Sequence, residues 1–211
     1  SAMVLTYNMS LASIVPAASA FAVKVNSTAR TVSSVAVSGT KVTLTLASPV
    51  VYGDAVTIAY TKPSTNPLQT AAGGQAESFS ARNITNNVAP PLPVLVSVVV
   101  ENASPSAMVL TYNMSLASIV PAASAFAVKV NSTARTVSSV AVSGTKVTLT
   151  LASPVVYGDA VTIAYTKPST NPLQTAAGGQ AESFSARNIT NNVAPPLPVL
   201  VSVVVENASP S

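Results

Sequence analysis

The chain has 211 residues, of which only 8% are charged, and ten Lys and Arg against six Asp and Glu give a net charge of +4. These cations form no basic stripe, and nucleic-acid binding needs one, so we expect no nucleic-acid partner. The chain contains neither Cys nor His, which excludes disulfides, thiol chemistry and a Ser–His catalytic pair.

The sequence is an exact repeat, because residues 1–105 recur without change as residues 106–210 and Ser211 begins a third copy. A period of this length fits one small domain rather than a solenoid unit. Identical copies joined end to end give a fibre or a multivalent surface its length or avidity, whereas an enzyme gains little from them. We therefore predict a repetitive structural or adhesive chain that is not an enzyme.

Short strands and frequent turns fill the complete second copy. A β-branched run forms the first strand, a turn at 102–105 follows it, and Pro121 breaks an irregular stretch in which a short helical turn is predicted near 115–120. Alternating apolar and polar residues predict the strands at 94–103, 107–113, 126–131, 135–142, 146–151, 161–165 and 182–191. Seven strands without a long helix predict an all-β fold of tandem immunoglobulin-like β-sandwich domains.

The predicted domains are 1–87, an immunoglobulin-like repeat lacking its first strand; 88–193, a complete repeat with a linker at 88–93; and 194–211, a linker with the orphan first strand of the next repeat. A Pro-rich linker favours an extended, semi-rigid polyproline geometry, so we expect it to hold consecutive domains apart. The linker prolines are Pro90, Pro91, Pro93, Pro195, Pro196 and Pro198.

The run 94–100 recurs at 199–205, so the strand that the first copy lacks stands at the other end of the chain. Three interpretations follow: a window from a longer array of identical repeats, a subunit that polymerises head to tail by donating this strand, or an engineered or permuted sequence. In each of the first two, the partners are identical neighbouring repeats or subunits. The alternation predicts that Val94, Val96, Val98 and Val100 share one face of the strand. The strand-complementation candidates are these four residues and their equivalents Val199, Val201, Val203 and Val205.

Several stretches resemble a known family in their order and spacing, namely 94–97, 120–126, 130–137, 147–151 and 171–174. They are similar to the swimming-motility-type, immunoglobulin-like tandem repeats of very large bacterial surface proteins, which include fibrillar adhesin extender domains. The resemblance implies a secreted, elongated, cell-surface protein whose units serve as stalks or surface layers. Some related modules bind calcium, but the loop 174–180 lacks the acidic residue that such repeats often carry there. We therefore expect no cofactor and no metal, and a linker that provides the stiffness.

Two asparagines are candidates for glycosylation, Asn26 and Asn102, because each begins an Asn-x-Ser/Thr pattern beside a turn. The repeated tyrosines Tyr7, Tyr52 and Tyr60 are expected in the core or at a sandwich corner rather than in a ligand site.

The leading prediction is a structural repeat unit of an extracellular filament or adhesin stalk, stiffened by Pro-rich linkers and by strand complementation between units. The alternative is an adhesive module that recognises a glycan or a host protein through the loop 62–74. Although 48% of the residues are hydrophobic, no apolar run approaches the ~20 residues of a spanning helix, so we expect no membrane insertion by this segment.

Overall fold

A computed structural model describes residues 1–204. The chain divides into two compact units, Ser1–Pro90 and a second that begins at Pro91.

The first unit contains seven strands in two antiparallel sheets. A three-stranded sheet has the order β1-β5-β4, and a four-stranded sheet has the order β3-β2-β6-β7. The strands are β1 (Ala2–Thr6), β2 (Phe21–Val25), β3 (Thr28–Arg30), β4 (Val32–Ser38), β5 (Lys41–Leu46), β6 (Val56–Tyr60) and β7 (Phe79–Ile84).

The second unit repeats this arrangement and adds two strands to the first sheet. Its sheets have the orders β12-β13-β9-β8-β16 and β11-β10-β14-β15, and β16 pairs with β8 in parallel. The strands are β8 (Leu95–Glu101), β9 (Ala107–Tyr112), β10 (Phe126–Val130), β11 (Thr133–Arg135), β12 (Val137–Ser143), β13 (Lys146–Leu151), β14 (Val161–Tyr165), β15 (Phe184–Asn188) and β16 (Thr190–Asn192). The predicted all-β, sandwich-like fold is confirmed.

Three details of the predicted elements are wrong. The predicted strand 135–142 is divided, because β11 pairs with β10 in one sheet while β12 pairs with β13 in the other. The last predicted strand is split at Ile189, because β15 pairs with β14 in one sheet while β16 pairs with β8 in the other. The short helical turn lies at Ala123–Ala125 rather than near 115–120. Pro121 precedes an extended Ala122 (φ −61°, ψ 145°), so the turn begins only after it.

Each core forms between the two sheets from the apolar side chains that alternate along the strands. In β10 the buried residues are Phe126, Val128 and Val130, with Ala127 and Lys129 exposed between them. The ring of Tyr165 packs between Phe126 and Phe184, with ring centroids 5.2 and 5.9 Å away. This spacing is favourable for aromatic pairs and adds to the free energy gained by burying the rings.

The repeated tyrosines divide between core and surface. Tyr60 and Tyr165 are each 1% exposed, as predicted, and their hydroxyls accept hydrogen bonds from the backbone N–H groups of Leu68 and Leu173. The prediction is wrong for Tyr52, which is 44% exposed, because it lies in the turn before Gly53 (φ 83°) rather than in a strand.

No helix within residues 1–204 has the length and the apolar character that crossing a membrane requires.

Candidate functional site

Strand β8 shows how the first strand of a repeat sits in its sandwich. It lies between β9, with which it pairs antiparallel, and β16, with which it pairs in parallel. Val98 and Val100 point into the core and are 7% and 0% exposed. β8 is therefore an interior strand of its sheet, held by hydrogen bonds on both edges.

The prediction that Val94, Val96, Val98 and Val100 share one face is wrong, because the register of β8 against β9 shifts at Val96. Leu95 pairs with Tyr112, but Ser97 pairs with Thr111, so one residue of β8 is extra at this point. A bulge of this kind reverses the alternation of the side chains. Leu95 consequently packs against the core, whereas Val94 and Val96 are 58% and 65% exposed.

The first unit has an open groove at the place that corresponds to β8. One edge of β1 pairs with β5, and its other edge lines a cavity of about 670 Å³ whose opposite wall is formed by residues 84–88. Apolar side chains lie along this groove, namely Met3, Leu5, Leu46, Val50, Val56, Ile58, Ile84 and Val88.

Side chains at the groove are more exposed than their counterparts beneath β8. Leu5 is half-buried, whereas the equivalent Leu110 is 0% exposed. Val50 is half-buried, whereas Val155 is 1% exposed. The groove therefore presents apolar surface whose counterpart is buried in the second unit.

The segment that repeats the sequence of β8 is exposed along its described part. Val199, Val201 and Val203 are 81%, 94% and 77% exposed. The remaining candidate of this set, Val205, lies outside the described residues. Of their counterparts in β8, Val98 is buried and equivalent to the exposed Val203, whereas Val94 and Val96 are exposed in both copies.

The linker begins at an asparagine that is bound to its own unit. Asn86 Nδ2 donates to the carbonyl oxygens of Val51 (2.8 Å) and Asp54 (3.1 Å), and Asn86 Oδ1 accepts the N–H of Val88 at 3.0 Å. Asn191 makes the same three bonds in the second unit. The start of the linker is therefore attached to the turn at 51–54.

That turn is itself held by Asn26, one of the two glycosylation candidates. Asn26 Nδ2 donates to Asp54 Oδ1 at 2.7 Å, and its Oδ1 accepts the N–H of Ala55 at 2.9 Å. Asp54 Oδ2 also accepts the N–H of Val51. Hydrogen bonds to the ionised carboxylate, first from Val51 and then from Asn26, lower the pKa of Asp54.

The other end of the linker packs against the second unit. Pro93 is buried, and the backbone N–H of Val94 donates to Asn113 Oδ1 at 2.8 Å. Gly179 lies so close to the carbonyl group of Pro91 that a Cβ on Gly179 would overlap it. Among the other linker prolines, Pro90 is half-buried, whereas Pro195, Pro196 and Pro198 are exposed.

The second glycosylation candidate, Asn102, is bound to the start of the following linker. Its Oδ1 accepts the N–H of Ala194 at 2.9 Å. Next to it, Asn192 Nδ2 donates to both carboxylate oxygens of Glu101 at 3.1 Å. These bonds join the last strand of the repeat to its first hairpin.

Sequence reasoning identified the prolines and the valines but missed the asparagines and the glycine that hold the linker. Asn191 was placed at the end of the predicted strand 182–191, and no role was predicted for Asn86 or Gly179. The only signal was the pair of adjacent asparagines before each Pro-rich segment.

Charged side chains within residues 1–204 form no cluster of three acidic residues that could hold a metal ion. The ion pairs Lys62–Glu77 and Lys167–Glu182 are 3.5 and 3.6 Å long with exposed carboxylates. Surface pairs of this kind contribute little stability.

The family of repeats described as "Putative flagellar system-associated repeat" matches residues 1–65 and 86–170. The chain therefore belongs to this SWM repeat family, which matches it twice in tandem. No curated protein and no solved structure matches the chain.

Proposed function

We propose that the chain is a structural segment of an extracellular filament or adhesin stalk, that it has no catalytic activity, and that Pro-rich linkers stiffen it. The observation that carries this proposal is the attachment of the linker at both ends. Asn86 binds the backbone of its own unit, and Pro91 and Pro93 pack against the following one. Few residues remain between these two attachments, and Pro90, one of them, has a fixed φ.

The immunoglobulin-like class of the sandwich and the location at the cell surface belong to the same proposal. The two facing sheets and the buried Tyr hydroxyl that accepts a backbone N–H support the class. The low charge of the sequence supports a secreted protein, and the absence of Cys favours a bacterial or archaeal source over a eukaryotic one.

We also propose that successive units are held together by strand complementation, in which a strand of one unit completes a sheet of its neighbour. The apolar groove of the first unit and the burial of β8 in the second support this part of the proposal.

Small-angle X-ray scattering of arrays of two, four and eight copies tests the structural role. A stiff array increases its maximum dimension in proportion to the number of copies, whereas flexibly joined units follow roughly the square root of that number. The matched control replaces Pro90, Pro91 and Pro93 with Gly in every linker and is expected to lose the linear increase. Square-root growth of the unaltered arrays would contradict the proposal.

A second candidate function, adhesive recognition of a glycan or a host protein, is favoured by one observation. Each copy exposes a Val-Tyr pair at the tip of a turn, where Tyr52 and Tyr157 are 44% and 59% exposed. Exposed aromatic rings are suited to contacts with partners because one end is apolar and the other is polar. Binding of the chain to a glycan array, lost in the double variant Y52A/Y157A, would support this function, and an array without signal would contradict it.

A further inference from the structure

We infer that a cleft at one edge of the second sandwich binds a carboxylate-bearing sugar of an acidic polysaccharide through Arg187. This inference goes beyond the structural role of the chain. It rests on the second candidate function, recognition of a glycan, and names for it a class of sugar and a site that is separate from the exposed Val-Tyr turns.

The cleft lies where the chain passes from one sheet to the other. β15 pairs with β14 as far as Asn188, whereas β16 pairs with β8 only from Val99 onward. Within the described part of the chain, residues 95–98 therefore have no pairing strand on this edge of β8. An opening of about 300 Å³ remains between residues 95–98 and 187–190. This volume is at the lower end for ligand pockets and suits a small ligand such as one sugar ring.

The lining of the cleft combines apolar and polar groups. Val96, which is exposed at the bulge of β8, and the half-buried Ile189 supply apolar surface. Ser97, Asn188 and Thr190 supply two hydroxyls and an amide, and all three are exposed. These polar groups donate and accept hydrogen bonds. A sugar ring has both C–H faces and hydroxyl groups, so it matches both parts of the lining.

Arg187 gives the cleft a positive charge. It pairs with Ile163, which is 0% exposed, so it lies on the core-facing side of β15. The central carbon of its guanidinium lies 4.6 Å from the centre of the Phe184 ring, a favourable cation–π distance that fixes the plane of the group. The ion pairs found within residues 1–204 involve Lys62 and Lys167 but not Arg187.

The charge of Arg187 also acts on the interior of the sandwich. Tyr112 is 3% exposed, and its hydroxyl has no hydrogen-bond partner among the described residues. Burial raises the pKa of Tyr112, the neighbouring Tyr165 raises it further, and the positive charge of Arg187 opposes the rise. The guanidinium thus lies beside an apolar interior, where it attracts an anion more strongly than it would in open water.

A carboxylate is the anion that this arrangement fits. A guanidinium can bind the two oxygens of a carboxylate through two parallel hydrogen bonds. Because the Phe184 ring covers one face of the group, the N–H groups along its edge remain available to a ligand. A simple anion would use Arg187 alone, whereas the ring of a sugar acid also brings hydroxyls to Ser97, Asn188 and Thr190.

The repetition of the sequence favours a polymeric ligand. The polar residues of the cleft are exposed, so a bound sugar can continue into a longer polysaccharide on either side. Because the sequence repeats exactly, an array of copies carries this cleft once in each complete repeat. A polysaccharide with a carboxylate on every sugar can occupy several clefts together, which increases the overall affinity without any new contact.

Titration of the 211-residue chain with an oligomer of galacturonate, followed by NMR of the backbone amides, tests the site. The amide signals of residues 95–98 and 187–190 should shift with the concentration of the oligomer. The matched neutral ligand is an oligomer of galactose, in which a CH₂OH group replaces each carboxylate. It should bind at least about tenfold more weakly, because it lacks the charged hydrogen bonds to Arg187.

Three results of this titration would overturn the inference. An absence of shifts at these amides would remove the cleft. Equal affinity for the galactose oligomer would remove the role of the carboxylate. Equal affinity for acetate would show that the cleft holds an anion without recognising a sugar.

The variants R187Q and K129Q separate the cleft from the general charge of the protein, since each removes one positive charge. Lys129 is exposed on β10, which contributes no residue to the cleft. R187Q should weaken binding of the galacturonate oligomer at least about tenfold, whereas K129Q should weaken it by less than about twofold. Similar weakening by the two variants would overturn the assignment to Arg187.

The variant N188D tests the same site without removing Arg187. It places a carboxylate inside the cleft, where it neutralises the guanidinium and repels an acidic ligand, so it should also weaken binding at least about tenfold. Asn188 is exposed, and circular dichroism checks that each variant folds. Unchanged binding by N188D would overturn the inference.

These results are separable from the tests of the proposed functions. Binding of neutral glycans that requires Tyr52 and Tyr157, without binding of the galacturonate oligomer, would leave glycan recognition standing and remove this inference. Binding in the cleft by a chain whose arrays prove flexible in scattering would have the opposite effect on the structural role.

Discussion

Asn26 Nδ2 donates a hydrogen bond to Asp54 Oδ1 at 2.7 Å, so two turns that are 28 residues apart are joined. The second unit repeats the bond between Asn131 and Asp159 at 2.6 Å. Because Asn86 binds the backbone of the same turn, this pair supports the point at which the linker leaves the sandwich.

The Asn26–Asp54 pair makes stability depend on pH. Hydrogen bonds lower the pKa of Asp54 from its ordinary 3.8 in the folded chain, so the ionised carboxylate stabilises the fold above that ordinary value. The contribution is lost as the pH falls from about 4 through the lower, folded-state pKa. Thermal unfolding midpoints measured between pH 2 and pH 7 should show this loss.

The variant D54N should reduce this part of the pH dependence and lower the midpoint at pH 7. E77Q removes the same charge from an exposed residue and serves as the control. An identical pH profile for D54N and the unaltered chain would contradict the role of Asp54.

Two tyrosines in the second core should respond in opposite directions to loss of the hydroxyl. Tyr165 accepts the buried N–H of Leu173, so Y165F leaves that group without a partner and should destabilise the unit by about 1–3 kcal/mol. The buried Tyr112 hydroxyl has no hydrogen-bond partner among residues 1–204, and burial raises its pKa. Y112F should therefore be neutral or stabilising by about 1 kcal/mol.

Urea unfolding of the two variants measures both effects, and each variant is the control of the other. Equal destabilisation by the two substitutions would show that the hydroxyls do not differ in this way.

Gly179 should tolerate no side chain where Pro91 lies against it. G179A would force the Pro91 carbonyl group to move and should destabilise the second unit by about 1–3 kcal/mol. G74A, at the identical position of the first unit, should change the monomer by less than about 0.5 kcal/mol. Urea unfolding of dilute, monomeric chain distinguishes the two, and equal midpoints would contradict the packing of the linker.

Asn86 and Asn87 are adjacent in sequence but should differ in their effect. N86A removes the bonds to the carbonyl groups of Val51 and Asp54 and should destabilise the first unit by about 1–2 kcal/mol. Asn87 is exposed, so N87A should have little effect in the monomer. Chemical unfolding compares them, and a larger effect of N87A would be inconsistent with the anchoring of the linker.

The strands of the core were predictable because their side chains alternate. Phe126, Val128 and Val130 give β10 a period of two. Strong local patterns of this kind survive in the folded chain because one face must be buried.

The bulge at Val96 and the change of sheet at Ile189 were not predictable. Nothing in a run of β-branched residues indicates which residue will form the bulge. The pairing of β16 with β8 joins residues that are 91 positions apart in the sequence, which local patterns do not specify. The groove likewise depends on which strands meet in space, which periodicity does not specify.

Each complete repeat begins with β8 and ends with β16, and these two strands run parallel as neighbours. Tension applied to the two ends of such a repeat pulls parallel neighbours in opposite directions along their own axes. The hydrogen bonds between them are then loaded in shear and share the force, whereas an antiparallel terminal hairpin would unzip one bond at a time. The order of strands thus makes the complete repeat resist stretching between its two ends.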